Sequence, residues 1–144
     1  MTTAMGEFHR DPSHWLLRHS PDEWIRAALG ELARARRAWE TGNQRAGAVG
    51  VKRAAGMALN AALIVQPDRD WGRTYVEHLE ALAGDASAPG AVRVACQRVL
   101  EAQPPAGDLV SLRTPRGHAV FVEAAHDVIA HAWVVVRKNE PKTD

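Results

Sequence analysis

Residues 20–65 read SPDEWIRAALGELARARRAWETGNQRAGAVGVKRAAGMALNAALIV, and the spacing within them decides the fold. Ser20 is placed to cap a helix, Pro21 suits its first turn, and Glu23 can return a hydrogen bond to the cap amide. From there Trp24, Ile25, Ala28, Leu29, Leu32, Ala35 and Trp39 recur at helical spacing, with Arg26, Arg34 and Arg37 on the opposite side. Thr41-Gly42-Asn43 ends this amphipathic helix near Glu40. A second helix is predicted from about Gln44 to Val65, with Val49, Val51, Ala55, Ala58, Leu59, Ala62 and Leu63 spread around most of its circumference. A helix apolar on nearly every side belongs at the centre of a bundle. Its Gly47, Gly50 and Gly56 each cost about 1 kcal/mol of helix propensity against alanine, so they predict tight packing against a neighbouring backbone.

Working outward, Gln66-Pro67-Asp68-Arg69-Asp70 reads as a connection, and Asp70 as the cap of a shorter helix from Trp71 to about Ala83 that Gly84 terminates. Ser87-Ala88-Pro89 opens a fourth helix to about Ala102, with Val92, Cys96, Val99 and Leu100 on its inner side. Residues Asp108 to His118 suggest extended or irregular chain before a last helix from about Ala119 to Arg137. Upstream, Pro12 to His19 carries Trp15, Leu16 and Leu17 and suggests one short docked helix within residues 1–19; residues 139–144 read as a frayed tail. The expected architecture is one all-α domain over 20–138, an up-and-down bundle of about five helices.

The 144 residues carry 18 basic and 17 acidic side chains, a formal charge of +1. Any attraction for nucleic acid or an anionic surface must therefore be local. The single cysteine, Cys96, excludes a disulfide framework, a zinc ribbon and a CxxC motif. The opening residues lack an apolar run of signal-peptide kind, and no stretch approaches the roughly 20 apolar residues that span a bilayer. A cytoplasmic protein without membrane contact is the expectation.

The capped entry SPDEWIRAALGELARARRAWETGN, followed by the alanine-rich AGAVGVKRAAGMALNAALIV, resembles the HEPN (higher eukaryotes and prokaryotes nucleotide-binding) domains over about a third of the chain. That resemblance implies a helical bundle, often dimeric, that acts either as a metal-independent RNase or as a non-catalytic partner of a nucleotidyltransferase. The RNase branch carries Arg-x(4–6)-His, and Arg73-Thr-Tyr-Val-Glu-His78 is a literal Arg-x4-His. In that role His78 would take the proton from an RNA 2′-hydroxyl while Arg73 stabilised charge on the phosphate. Arg113-Thr-Pro-Arg-Gly-His118 matches the pattern as well. Residues five apart on a straight helix point about 140° from each other, so Arg73 and His78 would need a bent helix end or a dimer seam to act together. The competing reading pairs Arg73 with Glu77 and places His78 beside the apolar stripe of Tyr75 and Leu82.

Between residues 34 and 53, Arg34, Arg36, Arg37, Arg45, Lys52 and Arg53 are opposed only by Glu40. Such a cluster suits phosphates of a nucleotide or RNA, with Arg34, Arg37, Arg45, Arg53 and Asn60 as the binding candidates. Its alternative is a solvated face in a chain with 15 arginines and three lysines. Arg53, Gly56 and Asn60 form a polar file on the otherwise apolar second helix, which lines a pocket or dimer seam, or else is a buried network. On the last helix Glu123, Asp127 and His131 follow four-residue spacing and Glu123-Ala-Ala-His126 is a Glu-x-x-His, but a di-iron bundle needs two such motifs. His9, His14 and His19 suit no standard zinc spacing. No metal site and no cofactor is expected, since nucleotide and hydrolase fingerprints are absent. The residues therefore lead to a non-catalytic helical module that forms a homodimer or joins a protein partner in a nucleotide- or RNA-linked system, with the RNase as the alternative and a metal-binding bundle third.

Overall fold

The computed structural model describes residues 15–67, 69–103 and 115–139. Among these are five α-helices and no strand: α1 (Pro21–Glu40), α2 (Gln44–Val65), α3 (Tyr75–Ala83), α4 (Gly90–Leu100) and α5 (Pro115–Lys138). The all-α bundle expected from the sequence is the fold observed.

The first two helices start and stop where their caps dictate. The Ser20 hydroxyl accepts from the Glu23 amide at 3.2 Å and the Ser20 amide donates to Glu23 Oε1 at 2.7 Å, closing a reciprocal capping box. Asn43 caps α2 by accepting from the Ala46 amide at 3.1 Å. Upstream, the predicted docked segment is a 3₁₀ turn at Trp15–Arg18, pinned by Trp24 Nε1 donating to the Leu16 carbonyl at 2.8 Å. Leu16 is buried beneath it.

Helix α2 is the centre of the bundle, packed by α1, α3 and α5. Val51, Ala54, Ala55, Ala58, Leu59, Ala61 and Ala62 are all fully buried. Its glycines are the points of closest approach. A Cβ at Gly50 would sit 2.7 Å from the Ala35 Cβ, and one at Gly47 or Gly56 would enter the Trp39 or Tyr75 side chain. Helix α5 runs antiparallel to α1: Arg137 Nη2 meets Asp22 Oδ1 at 2.7 Å at one end, and at the other the Trp39 and His118 rings stack 4.8 Å apart.

Three boundaries differ from expectation. Helix α3 begins at Tyr75 rather than Trp71, because Thr74 and Glu77 form the capping box that was expected of Asp70: the Thr74 hydroxyl accepts from the Glu77 amide at 3.1 Å, and the Thr74 amide donates to Glu77 Oε1 at 2.9 Å. Trp71 instead lies buried in the connection, followed by Gly72 at φ +75°. Helix α4 ends at Leu100, and α5 starts at Pro115, a residue suited to a first turn, four positions before the expected Ala119. The β-branched run Val134-Val135-Val136 stays helical, with Val136 and Ala132 anchored in the core. The expected irregular stretch over 108–114, the candidate Arg113, the histidines His9 and His14 and the tail 140–144 lie outside the described residues.

Cys96 is fully buried, and burial pushes its thiol up to about 12, so it behaves as a core residue. Two helical stretches, Gln44–Val65 and Gly117–Lys138, are long and apolar enough to cross a membrane by length and composition alone; 67% of the first is buried inside the bundle, as a core helix requires, against 33% of the second.

Candidate functional site

One stripe of α2 carries Arg45, Val49, Arg53, Gly56 and Asn60, and the chain treats its two ends differently. Over Gly56 and Asn60, α3 closes the stripe: Tyr75 occupies the space a Gly56 side chain would fill, and His78 reaches Asn60. Both His78 and Asn60 are fully buried. Burial lowers the His78 pKa, while the Trp71 carbonyl and the Glu77 charge oppose that shift, so the ring is neutral near pH 7 and carries one N–H. The Trp71 carbonyl, 2.9 Å from Nδ1, only accepts, so Nδ1 donates to it. Nε2 must then accept from the Asn60 carboxamide, whose end lies 2.9 Å away. With Oδ1 at that place two acceptors would face each other and Nδ2 would be buried without a partner; the carboxamide turned over removes both faults.

This geometry corrects two expectations. Asn60 does not face a ligand; it belongs to the buried network that was the alternative reading of the polar file. His78 is not positioned as a base for RNA, because no edge of its ring meets solvent. Arg73 is exposed on the connection before α3, its amide donating to Glu77 Oε1 at 2.9 Å. The two residues of the Arg-x4-His pattern share no open groove.

The other end of the stripe is open. Arg45, Val49, Gly50 and Arg53 of α2 face Glu31, Arg34, Ala35 and Ala38 of α1 across a groove of about 470 Å³, closed at one end by Asn43 and Ala46. Alanine and glycine side chains form its floor and three guanidinium groups its rim. Glu31, unremarked in the sequence, organises that rim: its Oε1 accepts from Arg34 Nη2 at 2.7 Å and its Oε2 from Arg53 Nη1 at 2.9 Å. Burial alone would raise the Glu31 pKa, but the hydrogen bonds from Arg34 and Arg53, together with their charges, hold it below the ordinary carboxylate value. Its role needed the pairing of α1 with α2; the only signal in the sequence was the Glu31–Arg34 spacing of three.

Of the arginine cluster, then, Arg34, Arg45 and Arg53 converge. Arg37 is exposed and does not line this groove, and Arg36 turns to a different one beside Trp39, Glu40 and His118. On α5, Glu123, His126 and Asp127 are exposed and His131 is half-buried, its pKa lowered by burial and by the charges of Lys138 and Arg69. No group of three or more metal-ligating side chains comes together among the described residues. Compared with family models, curated proteins and solved structures, the chain matches none.

Proposed function

We propose that the chain is a non-catalytic, cytoplasmic helical module that holds a phosphate-bearing ligand, a nucleotide or RNA, in the groove between α1 and α2 and works as a homodimer or beside a protein partner. The observation that carries this reading is the convergence of Arg34, Arg45 and Arg53 over an apolar floor. Guanidinium groups match phosphate oxygens with paired N–H donors, and alanine at the floor leaves room for a flat apolar group such as a base or sugar face. The likeness of residues 20–65 to HEPN domains agrees with it. Exposed Leu29 on α1 and Trp133 and Val134 on α5 supply apolar surface for association.

Titration calorimetry with adenosine nucleotides and short RNA tests the ligand. Binding that weakens with added salt and is lost in Arg34→Ala/Arg45→Ala/Arg53→Ala is the expected result; unchanged binding by that triple variant contradicts the reading. Sedimentation velocity at several concentrations tests association, with a strictly monomeric chain that retains no partner on purification as the contrary result. No observation favours catalysis by Arg73 and His78, since the second is shut inside the bundle.

A further inference from the structure

Two anions would compete for the same guanidinium groups in this groove, and one of them is already part of the chain. The Glu31 carboxylate bridges Arg34 and Arg53 from the two sides of the groove, with a side chain only 12% exposed, while Arg34 and Arg53 are 66% and 51% exposed. Arg45 lines the same groove and makes no ion pair among the described residues. The resident carboxylate thus sits on the sheltered side, and the solvent-facing donors are what a ligand meets.

We infer that Glu31 is an internal counter-anion that gates the groove, so that the site takes a terminal phosphomonoester and refuses an internal phosphodiester. The argument is one of charge. A phosphodiester carries a single negative charge, so in replacing a carboxylate between Arg34 and Arg53 it exchanges like for like and gains only its attraction to Arg45. A phosphomonoester loses its second proton near pH 6 and approaches two negative charges at neutral pH, with three oxygens to share among three guanidinium groups. It leaves a surplus of attraction after displacing Glu31, and its oxygens suit the paired N–H donors that the carboxylate vacates. The ligand chemistry is a terminal phosphate, whether borne by a free nucleotide or by the end of an RNA. This inference rests on the phosphate reading above.

The test measures binding of four probes to the wild-type chain and to Glu31→Gln: adenosine 5′-monophosphate, the dinucleoside monophosphate ApA, and one RNA hexamer with and without a 5′-phosphate. The wild-type chain is expected to bind each monoester about tenfold more tightly than its diester counterpart. Glu31→Gln is expected to bind all four probes about threefold more tightly, because the competing charge is gone. Glu31→Ala, which also removes the amide, should move in the same direction, and thermal melts of both variants confirm their folding. The ranking of the mononucleotide against the phosphorylated hexamer identifies which source carries the phosphate. If Glu31→Gln binds more weakly or unchanged, Glu31 merely positions the arginines, and if the wild-type chain binds ApA as well as the mononucleotide, there is no selection; both results overturn the gate and leave phosphate binding intact. Failure of all four probes to bind either protein removes the phosphate reading itself.

Discussion

The stripe of α2 that carries Arg45, Val49, Arg53, Gly56 and Asn60 is covered by α3 over its last two positions and left open over its first three. In the covered part each polar group has a buried partner and each gap is filled by a specific side chain. In the open part the polar groups are arginines held by one carboxylate, and the space between the helices is free for a ligand. Helical periodicity alone gives both parts the same face of the same helix. What separates them is α3, nine residues long, whose Tyr75 and His78 reach only as far as Gly56 and Asn60. Stability and ligand recognition should therefore divide along the stripe, and substitutions can test where the division falls.

The largest effect is expected at Gly56. A Cβ there would lie inside the Tyr75 side chain, so Gly56→Val should destabilise the fold by about 3 kcal/mol, read from urea unfolding midpoints at constant slope. A cost below about 0.5 kcal/mol would mean that Tyr75 is not seated in this notch. Next comes the buried network. Asn60→Ala leaves His78 Nε2 without its partner and is expected to cost about 2 kcal/mol in the same assay.

The pH dependence sharpens the same contrast. His78 and His131 both have pKa values lowered from 6.5, so the unfolded chain takes up their protons first. Stability is then full above about pH 6.5 and declines as pH falls from there through the folded-state values. His131→Gln should remove the part due to His131 and leave the part due to His78; a flat profile between pH 7.5 and 5 in that variant would show that His78 is not buried neutral. Glu31 and Glu77, held below their ordinary values, add a second decline only below about pH 4.5. The smallest effect on folding belongs to the open part: Arg53→Ala breaks an exposed ion pair and is expected to change stability by less than about 0.5 kcal/mol, while weakening phosphate binding.

Much of the fold is legible in local chemistry. The Ser20 capping box and Thr41-Gly42-Asn43 fix both ends of α1, and the apolar circumference of 44–65 marks α2 as central, because each signal lies within a few residues of what it determines. The start of α3 was harder to read, since Asp70 and Thr74 both offer caps, and only Thr74 has a glutamate three positions on in a continuing helix. The candidate site was half legible. Charge counting found Arg34, Arg45 and Arg53, but Glu31 lies outside the counted window and acts through a contact 22 residues apart. Asn60 and His78 were taken as ligand-facing candidates because spacing shows which face a residue occupies and not what covers that face. The Arg-x4-His pattern failed for the same reason.

The division of the stripe is tested most directly by following backbone amide and arginine side-chain NMR signals as adenosine 5′-monophosphate is added to the wild-type chain. Shifts confined to Glu31, Arg34, Arg45, Ala46, Val49 and Arg53, with Asn60, Tyr75 and His78 unmoved, are the predicted result. Shifts centred on Asn60 and His78, or none at any concentration, would contradict it.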